Sequence, residues 1–214
     1  RAQHPVSGIR PYEKFNCADL GDVSPNPIDL QDSLDRIAAF YAELKQRQIN
    51  PMTAGGDHLV SLPVLRGLAA DRPLAMIHFD SHTDLFDSYF GGFKYTHGTP
   101  FRRAIEEGLL DPKHVVQIGI RGTAYNYDDI EWGASQGVRI IRIEELFDRG
   151  VSAVMDEARS IVNDCPTYCS FDIDFVDVWP IPNRQRDTSP GSSKGVPFDE
   201  VVRHLSWCSS EENI

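Results

Sequence analysis

Short apolar runs alternate with amphipathic segments along this chain, and that alternation limits the possible folds more than any other feature. Leu34, Ile37, Ala38, Tyr41 and Leu44 recur at helical spacing, which predicts a helix over Asp29 to Gln46. A short strand is expected at Met52 to Ala54, broken by Gly55-Gly56, then a helix from Val60 to Ala70 with Pro63 tolerated in its first turn. Leu74 to Asp80 reads as a continuous apolar strand ending in polar residues. Further strands are expected at Val115 to Ile120, Arg139 to Ile143 and Tyr168 to Asp174. Helices are expected at Pro100 to Gly108, Val151 to Asn163 and Phe198 to Leu205. Strand and helix in turn imply an α/β fold of three layers, α/β/α, around a mainly parallel sheet. The 214 residues suit one domain, 1–214, with no internal repeat or linker.

Composition narrows the function classes. Hydrophobic residues at 41% and charged residues at 25% are those of an ordinary globular protein. No apolar run approaches the roughly eighteen residues of a membrane span, and Arg1 to Arg10 offers no apolar core, so neither a membrane segment nor a signal peptide is expected. A net charge of -11 argues against nucleic acid and is compatible with a small cationic partner. Cys17, Cys165, Cys169 and Cys208 form no C-x-x-C pair, which points to reduced thiols in a cytoplasmic setting. Nothing near Cys165 and Cys169 completes a thiolate metal site.

The chemistry gathers where strands are expected to end. Asp80-Ser81-His82-Thr83-Asp84 follows the strand Leu74 to Phe79, and residues i, i+2 and i+4 of an extended chain share a side. Asp80, His82 and Asp84 can then converge at the carboxyl end, where open α/β sheets place ligands. Asp172 and Asp174 repeat the pattern after Tyr168 to Ile173, and Gly55-Gly56-Asp57-His58 presents His58 through a turn that the glycines permit. Four carboxylates and two imidazoles exceed the needs of one catalytic metal. They suit two carboxylate-bridged ions, and an oxygen-rich set favours manganese over zinc. His78 shares the strand parity of Asp80, but it lies deeper in the apolar run and reads as a hydrogen-bonded core histidine. His97, in Thr96-His97-Gly98-Thr99-Pro100, reads either as a plain loop residue or as an acid-base group beside the metals.

Together the three segments resemble the signature motifs of the ureohydrolases, the arginase and agmatinase superfamily. The stretches His97-Gly98-Thr99-Pro100-Phe101-Arg102-Arg103, Val116-Gln117-Ile118-Gly119-Ile120-Arg121-Gly122 and Ala18-Asp19-Leu20-Gly21-Asp22-Val23 resemble the agmatinase branch. The resemblance runs from about Asp19 to Asp174. It implies an arginase-like fold and a homo-oligomer. It implies His58, Asp80, His82, Asp84, Asp172 and Asp174 as ligands of two Mn2+ ions, and His97 as the residue assisting proton transfer. Asp84 and Asp174 would also orient a metal-activated hydroxide for attack on the guanidinium carbon of a small cationic guanidino substrate.

Agmatine, yielding putrescine and urea, is the leading expectation. The alternatives are 4-guanidinobutyrate or 3-guanidinopropionate, and a non-catalytic metal-binding relative. The loop Thr123 to Ile130, with Tyr125, Tyr127, Asp128 and Asp129, reads either as a plain solvated connection or as the reader of the substrate's far end, where its acidic residues favour an ammonium. The chain departs from the family pattern at Ser81, where alanine is usual, and after Asp177, where proline is missing and Trp179 to Gly195 follows another course. The family's first strand and its C-terminal portion, with a guanidinium-gripping glutamate, have no counterpart here, so a partial chain of weak activity is expected.

Overall fold

The computed structural model describes residues 3–5, 7–121 and 128–176. Expectations for Thr123 to Tyr127, Trp179 to Gly195, the helix Phe198 to Leu205 and Cys208 lie outside them. After a single turn, α1 (Pro11–Lys14), the chain forms α2 (Leu30–Gln46), a 3-10 turn (His58–Val60) and α3 (Ser61–Leu68). There follow β1 (Leu74–Phe79), α4 (Pro100–Glu106), β2 (Leu110–Ile120), α5 (Asp128–Gln136) and β3 (Arg139–Arg142). The last elements are α6 (Ile143–Arg149), α7 (Val151–Val162), β4 (Thr167–Phe171) and a 3-10 turn (Ile173–Phe175). Among the described residues, no helix is long and apolar enough to cross a membrane.

The strands form one parallel sheet in the order β3-β2-β1-β4. Along β1 the side chains alternate between two covered faces. Ala75, Ile77 and Phe79 pack with Leu146, Val154, Met155 and Ala158 of α6 and α7. Met76 packs on the other face with Leu62 and Leu65 of α3 and Phe101 and Ala104 of α4. A strand buried on both faces needs an unbroken apolar run, which is how β1 reads. The three layers inferred from the alternation are therefore present.

The order of the strands places the site. From β1 the chain winds outward through β2 to β3, then returns by α6 and α7 to β4 on the far side of β1. The winding thus reverses between β1 and β4, and loops leaving the carboxyl ends of that pair diverge around a crevice.

Several expected elements differ. No strand forms at Met52 to Ala54; Met52 is fully exposed, and Thr53 is tied instead to the Tyr41 hydroxyl at 2.5 Å. β2 starts earlier than expected because Leu110 pairs with Leu74, with an irregularity before Met76 meets Val115. α5 occupies a stretch whose first residues read as loop, and α6 was not anticipated. α2 has the expected extent, with Asp29 accepting from the backbone N–H of Asp32 as its cap.

Candidate metal centre

The donor residues converge through turns rather than through strand parity. β1 ends at Phe79, and Asp80 adds one further rung by donating its N–H to the Ile118 carbonyl at 3.2 Å. The chain then curls: the His82 N–H donates to Asp80 Oδ1 at 2.8 Å, and Asp84 adopts a left-handed backbone with φ 53°. That conformation is uncommon for a non-glycine residue and tolerated best by Asp and Asn. Opposite, Asp172 donates its N–H to the Phe79 carbonyl at 2.9 Å, and its carboxylate caps the following 3-10 turn by accepting from Asp174 N–H at 2.9 Å. Asp172 and Asp174 therefore share a side because of that turn.

His58 sits in the first turn after Asp57, whose carboxylate accepts from Leu59 N–H at 2.8 Å. Gly55 nearby is constrained by space rather than by φ, since a Cβ there would lie 2.8 Å from Val60 Cγ2 and the Val60 side chain would have to shift.

Six side chains meet as two groups that share one carboxylate. His58 Nδ1 lies 2.8 Å from Asp84 Oδ2, 3.2 Å from Asp80 Oδ2 and 3.6 Å from Asp172 Oδ2. His82 Nδ1 lies 3.1 Å from Asp174 Oδ2 and 3.5 Å from Asp80 Oδ1. Asp80 thus faces one group with each oxygen. The Ser81 N–H donates to Asp174 Oδ1 at 3.1 Å, tying the β1 and β4 loops together. Ser170 Oγ meets His58 Nε2 at 2.9 Å and sets the ring plane. Asp80 and Asp84 are buried, while His82 is half exposed.

The electrostatics follow from this crowding. Burial opposes charge on His58, but hydrogen bonds to Asp80 and Asp84 outweigh it and raise the imidazole from 6.5 to about 10. The His82 imidazole is raised to about 11 by Asp174 and then Asp80. Burial pushes the Asp80 carboxyl up, yet the imidazoles of His78, His58 and His82 hold it well below the usual range. Asp84 is pushed up by burial, against the pull of His58, and Asp172 by burial and then by the charges of Asp80 and Asp174. The carboxylates therefore draw both imidazoles into the charged form. A divalent cation at either group would neutralise the same charge with the imidazole lone pair as a ligand, so the donor set fits metal.

His97 lines the same cavity of about 340 Å³, together with Gly56, Asp57, Phe86, Tyr89 and Gly98. It is exposed, with its ring edge-on to Tyr89 at 5.4 Å and Phe90 at 5.6 Å. All six expected ligands and His97 are thus brought to one cavity. No cysteine joins a metal-ligand group among the described residues.

His78 does not face the cavity. It is fully buried, with Nε2 2.8 Å from Asp80 Oδ2 and Nδ1 3.0 Å from Gln117 Nε2, as expected of a hydrogen-bonded core histidine. Its partner Gln117 escaped the sequence reading. The signal was there: one polar side chain within each of the apolar runs Leu74 to Phe79 and Val115 to Ile120, directly opposite in register. Arg121, which donates to the Asp174 carbonyl, and Asp129, which accepts from the Thr83 hydroxyl, were also not foreseen as parts of the site's frame.

A shared carboxylate between two His/Asp groups, at the switch point of a parallel sheet, defines an α/β protein with a candidate metal centre. The arginase family model matches residues 1–184. A guanidinopropionase from Pseudomonas aeruginosa is 54% identical over 177 residues, covering 83% of this chain and 56% of that protein. A mitochondrial agmatinase from Gallus gallus is 40% identical over 178 residues, covering 83% and 52%. Among solved structures, the proclavaminate amidino hydrolase from Streptomyces clavuligerus superposes with a TM-score of 0.79 at 34% identity, covering 93% of this chain and 65% of that one. The chain belongs to the arginase family, and it spans about half the length of the curated relatives it matches.

Proposed function

We infer that the protein is a binuclear manganese amidinohydrolase that releases urea from a guanidino acid, with 3-guanidinopropionate as the leading substrate. One observation carries the reading: Asp80 presents one oxygen to the His58 group and the other to the His82 group. That is the arrangement two neighbouring cations require. His58, Asp80, Asp84 and Asp172 would hold one ion, and Asp80, His82 and Asp174 the other. Bound there, Mn2+ would supply a nucleophilic hydroxide by lowering the pKa of water towards neutrality.

The chain's own residues do the rest. A guanidinium carbon is a poor electrophile, so the substrate must be held in one orientation against the cluster. The cavity beside Asp84 and Asp174 is where its planar head fits, and these carboxylates orient the attacking group as hydrogen-bond acceptors. His97 stands on the cavity wall, where it can give a proton to the departing nitrogen and recover one from solvent.

The choice of substrate turns on two further observations. The 54% identical relative is named a guanidinopropionase, against 40% for the agmatinase. The case for agmatine also weakens physically. Asp129, half of the acidic pair assigned to an ammonium group, is buried and accepts from Thr83 instead of facing a ligand. Urea release with added Mn2+ tests the reading on 3-guanidinopropionate, 4-guanidinobutyrate and agmatine. The guanidino acids should be turned over and agmatine poorly; urea from agmatine alone would restore the ammonium-ended substrate, and none from any would sink the enzymatic reading.

A further inference from the structure

A strip of buried polar groups runs beneath the metal centre, and hydrogen-bond direction can be read along it without ambiguity. Gln117 Nε2 lies 2.6 Å from the Thr83 carbonyl oxygen. A carbonyl oxygen only accepts, so the Gln117 atom facing it must be the amide nitrogen. That same nitrogen lies 3.0 Å from His78 Nδ1, which must therefore accept. The His78 proton is left on Nε2, which donates to Asp80 Oδ2 at 2.8 Å. The backbone of the loop that carries His82 and Asp84 thus dictates, through Gln117, which tautomer His78 adopts and where it points.

The strip is sealed from water. His78 and Gln117 are 0% exposed, and Asp80 is 1% exposed. Phe101 closes the space beside the imidazole, its ring centroid 4.4 Å from that of His78. Two strands hold the pair in place, because His78 and Gln117 are register partners in β1 and β2. An unpaired polar group in such surroundings is costly: the Gln117 amide nitrogen is matched to the Thr83 carbonyl and to His78 Nδ1, while Gln117 Oε1 is buried without a partner among the described residues.

We propose that His78 and Gln117 are positioning residues that orient the Asp80 carboxylate so that each of its oxygens serves a different cation. The proposal rests on the two-cation reading above. Asp80 Oδ1 is held by His82 N–H and Oδ2 by His78, so the carboxylate plane is fixed at both oxygens. Without the His78 donor the carboxylate can rotate away, and the second ion loses the ligand it shares with the first. Outer groups of this kind are worth roughly 10–100-fold in metal affinity.

The test uses the full-length protein loaded with Mn2+. Equilibrium dialysis gives stoichiometry and affinity, and electron paramagnetic resonance separates a spin-coupled ion pair from isolated ions. The unaltered protein should show the coupled signal; its absence there overturns the two-cation reading and this proposal with it. With coupling established, His78→Leu should weaken the second ion roughly 10–100-fold and give the hyperfine pattern of isolated Mn2+. His78→Gln, whose amide nitrogen can still donate to Asp80, should keep the coupled signal. Equal losses in the two variants, or coupling retained in His78→Leu, would overturn the proposal. Should both His78 variants lack a cooperative melt, Gln117→Met decides. It keeps side-chain bulk but frees the His78 tautomer, and undiminished coupling in it overturns the proposal, while loss of coupling in a folded protein supports it.

Discussion

The ends of β1 and β4 and the stretch 85–99 border the same cavity, yet they are built on different terms. At the strand ends each donor is tied down by backbone bonds and by its neighbours: Asp80 through His82 N–H and His78, Asp172 through Phe79 O and Asp174 N–H, Asp174 through Ser81 N–H. The stretch carrying His97 bows outward. Its base is closed by Phe86 N–H donating to Gly98 O at 3.1 Å, its tip is a bridge between Tyr89 and Phe93, and Phe90 and Phe93 are each 66% exposed. The contrast separates two physical tasks. Groups that must share cations need fixed positions to within fractions of an ångström. A group that exchanges protons with substrate and solvent needs access to both.

Breaking the fixed region should have the largest effect. Asp80→Ala with Asp172→Ala removes the shared carboxylate and one of its neighbours. Mn2+ binding, followed by metal analysis after dialysis, should vanish together with urea release. Retention of two ions per chain would refute the assignment of these carboxylates. Next comes pH. Cation uptake must displace protons from His58 and His82, raised to about 10 and 11, so affinity should climb with pH across the neutral range by about tenfold per unit for each proton displaced. The chelator-treated protein should show the opposite trend. Its raised imidazoles contribute stability that is fully present below about 6.5 and lost as pH rises through about 10. Titration calorimetry at several pH values and melts in chelator measure both; a flat affinity profile would mean that the imidazoles are not ligands.

The exposed region sharpens the comparison. His97→Asn should lower turnover by roughly 10²–10⁴-fold while Mn2+ content stays at that of the unaltered protein. Loss of metal in this variant would erase the distinction between the two regions, and unchanged turnover would return His97 to an ordinary loop residue. A smaller effect is expected at Gly119, within β2, where the strand lies against the donor loops. Its φ is +96°, and a Cβ there would lie 2.4 Å from Phe175 Cε2 and 3.1 Å from the Asp80 carbonyl oxygen. Gly119→Ala should cost about 1–3 kcal/mol through overpacking, read as a lower denaturation midpoint. A stability equal to that of the unaltered protein would mean that Phe175 moves aside freely and that the backbone at this position tolerates a side chain at positive φ.

What could be read from the sequence follows the same division. The apolar run Leu74 to Phe79 and the polar cluster after it carry enough pattern to locate a covered strand and its ligand-bearing end. The way the ligands converge was not legible. Strand parity put Asp80, His82 and Asp84 on one side, but the chain curls after Phe79 and Asp84 takes a left-handed turn. Backbone conformation there depends on bonds to Gln117, Asp129 and Asp174, all distant in sequence. The same holds for Asp129, whose acidity pointed to a ligand although tertiary packing buries it against Thr83. Met52 to Ala54 carries local strand character, and without a partner strand among the described residues it forms none.

The smallest effect tests how the His97 stretch is anchored. Asp87 Oδ1 accepts from the buried Arg103 at 3.1 Å, with Arg102 and Lys94 each at 3.7 Å. Asp87 itself is half exposed, so solvent screens the pairing. Arg103 also keeps Glu106 at 2.9 Å, which prevents Asp87→Ala from leaving a bare buried guanidinium. The cost should therefore be that of a surface ion pair, about 0.2–1 kcal/mol, and Mn2+ binding should not change. Turnover should fall only a few-fold, about the cost of relaxing one of several anchors by less than 1 kcal/mol. A thermal melt and a urea-release assay on the same preparation measure both quantities. A fall in turnover as deep as that of His97→Asn would show that Asp87 alone sets the place of the imidazole, and that the outer region is as tightly positioned as the donor cluster it faces.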